Sequence, residues 1–357
     1  MTEQSKPHPY SDTASPFEFA GDSVAPGSLR AFELPISRVS SGNEVSLPVR
    51  IVHGRKPGPV LFVSAAVHGD EITGVEIVRR LLKKISPKTL AGTLLCVPIV
   101  NVYGFVGNSR YLPDRRDLNR SFPGSPNGSL AGQLAHLFRT EIIERSDFGI
   151  DLHSAAVHRM NLPQIRISAD CARSEEMAFA FGAPAVITSA LREKSLRKVA
   201  LDAGVEMLLY EAGEGLRFDD FSIRTGVNGV MRVMCAMGMI HSKRLEKQLP
   251  TPARSTRSTW VRAPRGGIAN LTAHAGTIVS QDQALAKVGD PAGDEEEIVR
   301  SPIDGIIIGH STLPIVNQGD ALIHIAEVKR FDTVADRVDE ITDTILSDVM
   351  LDEDELL

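Results

Sequence analysis

The sequence lacks most of what marks a secreted, membrane-spanning or nucleic-acid-binding protein. Of its 357 residues only three are cysteines, Cys96, Cys171 and Cys235, widely scattered and each in or near an apolar run. That excludes a disulfide framework or a cysteine metal cluster and reads as buried thiols in a reducing compartment. No apolar stretch reaches the roughly 18 residues that a membrane span needs. Positive charge is not in excess, with 39 Lys and Arg against 45 Asp and Glu and a net charge of -6, so a nucleic-acid-binding face is not the main business of the chain. The first twenty residues are polar and rich in Pro and Ser, without a positive start followed by an apolar core. They read as no signal peptide, and the expectation is a cytoplasmic protein.

What is present fits a globular enzyme. Hydrophobic residues make up 42% and charged residues 24%, enough for a real core. The length suggests two domains with tails. An apolar run over 60–67 reads as a buried strand and stops at His68-Gly69-Asp70-Glu71. A helical stripe follows, with Ile72, Val75, Val78, Leu81 and Leu82 near one face. An imidazole and a carboxylate three residues apart thus sit where a strand gives way to a helix, the rim at which open α/β sheets bind ligands. Both are zinc ligands by type. On their own they are equally two solvated residues flanking a turn at Gly69.

Strand and helix alternate from there: strand 93–100, helix 130–145, strand 148–152, short strand 164–168, helix 171–181, strands 185–188 and 207–210, and helix 221–239. The pattern predicts an α/β fold, a mixed sheet with helices on both faces, over residues 26–241. Residues 1–25 read as a disordered lead-in and 242–259, charged and rich in Pro, Ser and Thr, as a linker. Beyond it lie short strands and an internal repeat. Val261-Arg262-Ala263-Pro264 recurs as Val299-Arg300-Ser301-Pro302, Gly267-Ile268 is answered by Gly305-Ile306, and Leu285–Val288 loosely by Leu322–Ile325. Two such halves predict a small all-β barrel or sandwich over 260–328. Residues 329–357 carry Val334, Val338, Ile341, Ile345 and Val349 at helical spacing and predict an amphipathic helix with an acidic, solvated end.

A metal site needs a third ligand. His153 in Ile150-Asp151-Leu152-His153 ends an apolar run as His68 does, so both project to one rim. Three protein ligands, His68, Glu71 and His153, leave a position for water, the pattern of a catalytic zinc site with one ion per chain. His158 reads as a substrate contact rather than a ligand. A metal-activated water needs a proton acceptor, and Glu211 ends the apolar run 207–210; Glu214, past Gly213, is its rival. The loop 108–124 is long, polar and holds four arginines. Arg110 suits polarisation of a carbonyl oxygen, and Asn119 with Arg120 suits a substrate carboxylate. A solvated arginine loop making surface ion pairs is the alternative.

His-Gly-Asp-Glu at 68–71, Arg110, Asp-Leu-Asn-Arg at 117–120, Asp-Leu-His at 151–153 and Glu-Ala-Gly at 211–213, in that order, resemble the succinylglutamate desuccinylase/aspartoacylase family of the zinc-carboxypeptidase clan. The resemblance covers about residues 45–240. It implies a zinc-carboxypeptidase-like fold, the ligand set and base already named, Arg110 as the carbonyl-polarising residue, and Asn119 and Arg120 on the substrate carboxylate. It further implies that Asp117 and Asp151 orient these groups. The C-terminal unit resembles biotinyl/lipoyl-type barrels, but its turn Asp290-Pro291-Ala292-Gly293-Asp294-Glu295 has no lysine at the tip, and Lys287 lies inside the preceding strand. A swinging-arm role is excluded on that ground, leaving a structural unit or a cover for the active site. The expected activity is zinc-dependent hydrolysis of the amide bond of a small N-acyl amino acid or related compound, with no nucleic-acid or membrane partner and homo-oligomerisation left open. A metallocarboxypeptidase acting on peptides and a metal-free binding protein that has kept the fold are the alternatives.

Overall fold

The computed structural model describes residues 13–169, 171–245, 250–328 and 340–345. Five strands lead in: β1 (Phe17–Phe19), β2 (Asp22–Val24), β3 (Ser28–Arg38), β4 (Glu44–His53) and β5 (Lys56–Ala65). Then follow α1 (Thr73–Lys84), β6 (Ala91–Val97), α2 (Val102–Val106), α3 (Leu130–Glu141), β7 (Phe148–His153), β8 (Arg159–Ile167), α4 (Ala172–Phe181), β9 (Ala185–Thr188), α5 (Leu196–Asp202), β10 (Met207–Gly213) and α6 (Asp220–Ala236). Eight antiparallel strands are left to the C-terminal part: β11 (Ala253–Ser255), β12 (Ser258–Arg262), β13 (Gly267–Leu271), β14 (Ile278–Val279), β15 (Ala284–Gly289), β16 (Glu296–Arg300), β17 (Gly305–Ser311) and β18 (Ile315–Val316), closed by β19 (Ala321–Glu327), with β11 the exception in pairing parallel to β9.

The centre of the main sheet is parallel, β10-β7-β5-β6, flanked by antiparallel β8 on one side and β4 and β3 on the other. Parallel strands covered on both faces are apolar throughout, and β7 is buried at every position. Alternate residues of β5 feed two cores. Leu61, Val63 and Ala65 pack with Ile77, Val78 and Leu81 of α1 and with α4 and α6. Phe62 packs on the opposite face with Leu134 and Phe138 of α3 and with α5. Each fully buried aliphatic side chain of the α1 stripe stabilises the fold by about 1.5–3 kcal/mol. The α/β fold with helices on both faces is therefore as expected.

The two repeats correspond to β12–β15 and β16–β19, and they exchange strands: β14 pairs with β17, β18 with β13, β12 with β19 and β16 with β15. Their shared core is built on Val279, Leu285, Val288, Ile307, Leu322 and Ile325. This unit does not hang on a free linker. β17 pairs antiparallel with β8, opposing Gly309 to Asn161 and Ser311 to Arg159, so the main sheet runs on through β17, β19 and β12. Of the expected linker, β11 adds to β9 and β12 begins at Ser258; residues 246–249 lie outside the described residues.

The lead-in is likewise shorter than expected. β1 and β2 form a hairpin whose Phe19 and Val24 are buried against β3, because two large apolar side chains three to five residues apart give even a short polar segment something to bury. Of the helix expected over 329–357, only 340–345 belong to the described residues; they are helical, and Ile341 and Ile345 are buried.

Candidate metal centre and active-site cavity

The strand order sets the site. β5, β7 and β10 are parallel neighbours whose carboxyl ends share one rim. His68 and Glu71 follow β5, His153 ends β7, and Glu211 pairs in register with His153. The bend after β5 demands a glycine. A Cβ on Gly69 would lie 1.9 Å from the Gly104 carbonyl carbon and 2.2 Å from the Phe105 nitrogen, so the loop before α1 presses directly on α2. Gly74 similarly lets α1 approach Leu152 and Ala65, at 2.7 and 2.8 Å from an added Cβ.

His68, Glu71 and His153 are all buried, and their ligand atoms lie within 4.8 Å of one another. Glu71 divides its carboxylate between the two rings: Oε1 is 2.7 Å from His68 Nδ1 and Oε2 is 2.7 Å from His153 Nδ1. The outer nitrogens are held from behind. His153 Nε2 meets Asp151 Oδ2 at 2.6 Å, and Asp151 accepts the Ser64 hydroxyl at 2.7 Å. His68 Nε2 meets Asp117 Oδ1 at 3.2 Å. Imidazoles fixed through one nitrogen with the other turned to a common point are how histidines are presented to a metal. Two histidines and one glutamate form a donor set suited to zinc, so the residues fit the ion.

The charges in this cluster compensate one another. Burial would raise the Glu71 carboxyl, but His68 and His153 outweigh it and hold it well below the usual range. Burial works against charge on the two imidazoles, and the facing carboxylates, Glu71 and Asp117 for His68, Asp151 and Glu71 for His153, raise both. Arg110 closes the cluster, with Nη1 3.2 Å from Glu71 Oε1 and Nη2 2.9 Å from Asp117 Oδ2. Burial opposes its charge, and Glu71 with Asp117 more than restores it.

The loop 108–124 is pinned by three buried apolar residues, Leu112, Leu118 and Phe122. Asp117 caps its 3-10 turn by accepting the Asn119 N–H at 2.8 Å. Asn119 Oδ1 accepts the Leu196 N–H at the start of α5, also at 2.8 Å, which leaves its amide NH2 as the group offered to the cavity. Of the four arginines, Arg110 and Arg120 line the cavity, while Arg115 and Arg116 are exposed outside it.

That cavity has a volume of about 580 Å³, and His68, Glu71, Arg110, Asn119, Arg120, His153 and Glu211 all line it. Every residue singled out from the sequence is thus brought together. Glu211 is half-buried and accepts a hydrogen bond from Asn161 Nδ2 at 3.0 Å. Its rival Glu214 instead accepts the His158 backbone N–H and the Thr312 hydroxyl at 3.0 and 3.2 Å, and neither Glu214 nor His158 lines the cavity.

Sequence reasoning missed other lining residues: Asn161, Arg159 and Arg166 on β8, Arg192 and Arg197 around the start of α5, and Trp260 and His324 from the C-terminal unit. For Arg166 a signal existed, a lone charge between Ile165 and Ile167 in an apolar strand. For Asn161 and Arg159 none did. Gln164 opposes Glu211 while Asn161 opposes Gly213, so β8 carries one extra residue there, and that bulge decides which face its first half presents.

A sequence model described as "Succinylglutamate desuccinylase/Aspartoacylase catalytic domain" matches residues 57–237. The N-alpha-acetyl-L-2,4-diaminobutyric acid deacetylase of Halomonas elongata is 30% identical over 346 residues, 91% of this chain and 97% of that protein. The succinylglutamate desuccinylase of Pseudomonas aeruginosa is 32% identical over 127 residues, 31% of this chain and 36% of that protein. Among solved structures, a succinylglutamate desuccinylase/aspartoacylase from Rhodobacter sphaeroides superposes with a TM-score of 0.77 at 25% identity, covering 89% of this chain and 100% of that one. The product-bound ectoine utilization protein EutE of Ruegeria pomeroyi shares the fold, with a TM-score of 0.75 at 22% identity over 89% and 99% of the two chains. The domain match falls on the strands and loops that build the cavity, and the deacetylase aligns through the C-terminal strands as well; the chain belongs to the succinylglutamate desuccinylase/aspartoacylase family.

Proposed function

We propose that this protein is a zinc-dependent deacylase that hydrolyses the amide bond of a small N-acyl amino acid or related compound. The observation that carries the reading is the meeting of His68, Glu71, His153, Arg110 and Glu211, drawn from four separate stretches of chain, in one cavity of about 580 Å³. Such a volume suits a small ligand rather than a folded partner. The curated relative matched along nearly its whole length is itself named as a deacetylase of an acyl amino acid.

His68, Glu71 and His153 hold the ion. A bound zinc supplies Lewis acidity, acidifying a water and polarising an acyl carbonyl. The remaining work falls to the protein. Arg110, fixed by Asp117 and Glu71, keeps a full positive charge where the carbonyl oxygen gains negative charge. Glu211 takes the proton of the attacking water and returns it to the departing amine nitrogen, and Asn161 orients its carboxylate. The Asn119 amide and the Arg120 guanidinium bind a substrate carboxylate. Asp151 and Asp117 set the orientation of the two imidazoles.

The test is a hydrolysis screen over acetyl, succinyl and longer acyl amino acids beside short peptides, with and without a chelator. Turnover of acyl amino acids that a chelator abolishes and zinc restores supports the reading. Turnover of peptides alone assigns a carboxypeptidase, and chelator-insensitive turnover removes the metal from the account.

A further inference from the structure

The cavity holds more positive charge than this chemistry uses. Six arginines line it, against two carboxylates, Glu71 and Glu211. Arg110 is paired with Glu71 and Asp117. Among the described residues, no carboxylate forms an ion pair with Arg159, Arg166, Arg192 or Arg197. Arg197 donates only to neutral oxygens, those of Ser189 and Ala190, and Arg159 rests on the face of Trp260 at 5.1 Å. The Arg166 Nε is buried without a hydrogen-bond partner. Guanidinium groups gathered without a counter-charge repel one another, and a buried donor left unmatched costs stability. The repulsion registers on Arg197, pushed down to about 10 by burial and by Arg166, with Arg192 adding to it.

The strand order locates this charge relative to the chemistry. Across the sheet run β5, β7, β10, β8, β17, β19 and β12. The ligands stand at β5 and β7 and the base on β10; Arg159 and Arg166 stand one strand further, on β8, away from His153. The C-terminal unit backs them. Trp260 of β12 stacks on His324 of β19, with ring centroids 4.3 Å apart and planes 11° from parallel, and His324 Nε2 is fixed to the Ser258 hydroxyl at 2.9 Å. His324 adds no charge, being held neutral down to about pH 3 by burial and by Arg166 and Arg159. The wall behind the arginines is therefore rigid, aromatic and neutral.

We infer that Arg159 and Arg166, braced by Trp260 and His324, form a second anion subsite beyond Glu211, so that the substrate is an acyl amino acid bearing a second carboxylate. This rests on the deacylase reading and narrows it. A neutral amide in place of that carboxylate loses the charge-assisted hydrogen bonds, and an ammonium there meets uncompensated guanidinium groups. The relative from Halomonas elongata is named for a substrate with an amine at that end; this cavity selects against it.

Two measurements on the zinc-loaded protein test the subsite. The first compares kcat/KM for N-acetylglutamate, N-acetylglutamine and N-acetyl-2,4-diaminobutyrate in the parent protein, in Arg166→Gln and in Arg159→Gln, with Arg115→Gln in the exposed loop as control. The second is calorimetric binding of glutarate against butyrate to the same proteins. The expected preference for glutamate over glutamine is at least about tenfold, falling several-fold in both β8 variants through KM and unchanged in the control. Glutarate is expected to bind more tightly than butyrate, and that margin is expected to shrink in the same two variants. Arg159 is exposed, so its variant reports even if Arg166→Gln fails to fold. Equal use of glutamate and glutamine, or a preference that survives both substitutions, overturns the subsite. If none of the compounds is hydrolysed the deacylase reading fails, and the glutarate margin still decides the subsite by itself.

Discussion

At the scale of single residues, the cavity depends on groups whose partners are all visible. Glu211 touches none of the three ligands and is oriented by Asn161. Replacing it as Glu211→Gln is therefore expected to leave metal content intact while kcat falls at least about a hundredfold, the scale of general base catalysis. Near-normal turnover, or loss of the metal, contradicts the assignment. Asp151 acts from behind, through His153 Nε2. Asp151→Asn is expected to weaken zinc affinity by about 10–100-fold, read by chelator competition. The ligands and the base were legible in the sequence because each ends an apolar run, and a strand's end is a fixed place in this architecture. Asn161 and Arg159 were not, because a single extra residue in β8 sets their face and nothing in Arg159-Met160-Asn161-Leu162 announces it.

At the scale of elements, two junctions carry the site. The first is the bend from β5 into α1. An alanine at Gly69 collides with backbone at Gly104 and Phe105, neither of which can rotate away. Gly69→Ala is expected to displace His68 and Glu71 and abolish stoichiometric metal binding, with a stability loss of about 1–3 kcal/mol for the forced shift. Unchanged metal content would show that the bend has slack. The second junction is the Trp260–His324 stack between β12 and β19. Arg159 and Arg166 of β8 and Ser258 of β12 face the imidazole, and its pKa is depressed to about 3, by burial first and then by the arginines. The unfolded chain takes up that proton near pH 6.5, at about the ordinary histidine value. Neutral His324 thus contributes fully above that pH, and its contribution is lost as pH falls from 6.5 toward 3, by up to about 1.4 kcal/mol per pH unit. His324→Phe is expected to flatten the decline in melting temperature between pH 6.5 and 5; an identical acid limb contradicts this. Most elements were legible from their periodicity, with ends displaced by a few residues. α5 was not, since Leu196–Asp202 carries few apolar residues and takes its start from Ser195, whose hydroxyl caps Lys198, and from Asn119 far away in sequence.

At the scale of the whole molecule, the sequence suggested two bodies and a linker, and the structure joins them. Composition marks 242–259 as a linker correctly, but it cannot say which edge a later strand will find. β8 leaves an open edge, β17 fills it, and the C-terminal unit becomes part of the sheet that carries Glu211. The Glu214–Thr312 hydrogen bond and the presence of Trp260 and His324 in the cavity follow from that pairing. Since the only tryptophan in the chain lies in this unit, its fluorescence reports the unit, while far-UV circular dichroism reports the helices. The two thermal transitions are expected to coincide, as for one cooperative body. A tryptophan transition well ahead of the helical one contradicts the joined sheet.

The account's central claim is that His68, Glu71 and His153 converge on one cation. Metal analysis of the purified protein beside His153→Ala tests it most directly. The expected result is about one zinc per chain in the parent protein and almost none in the variant, since two protein donors do not retain the ion that three hold. Less than about half a zinc per chain in the parent after incubation with zinc, or equal content in the two proteins, contradicts it.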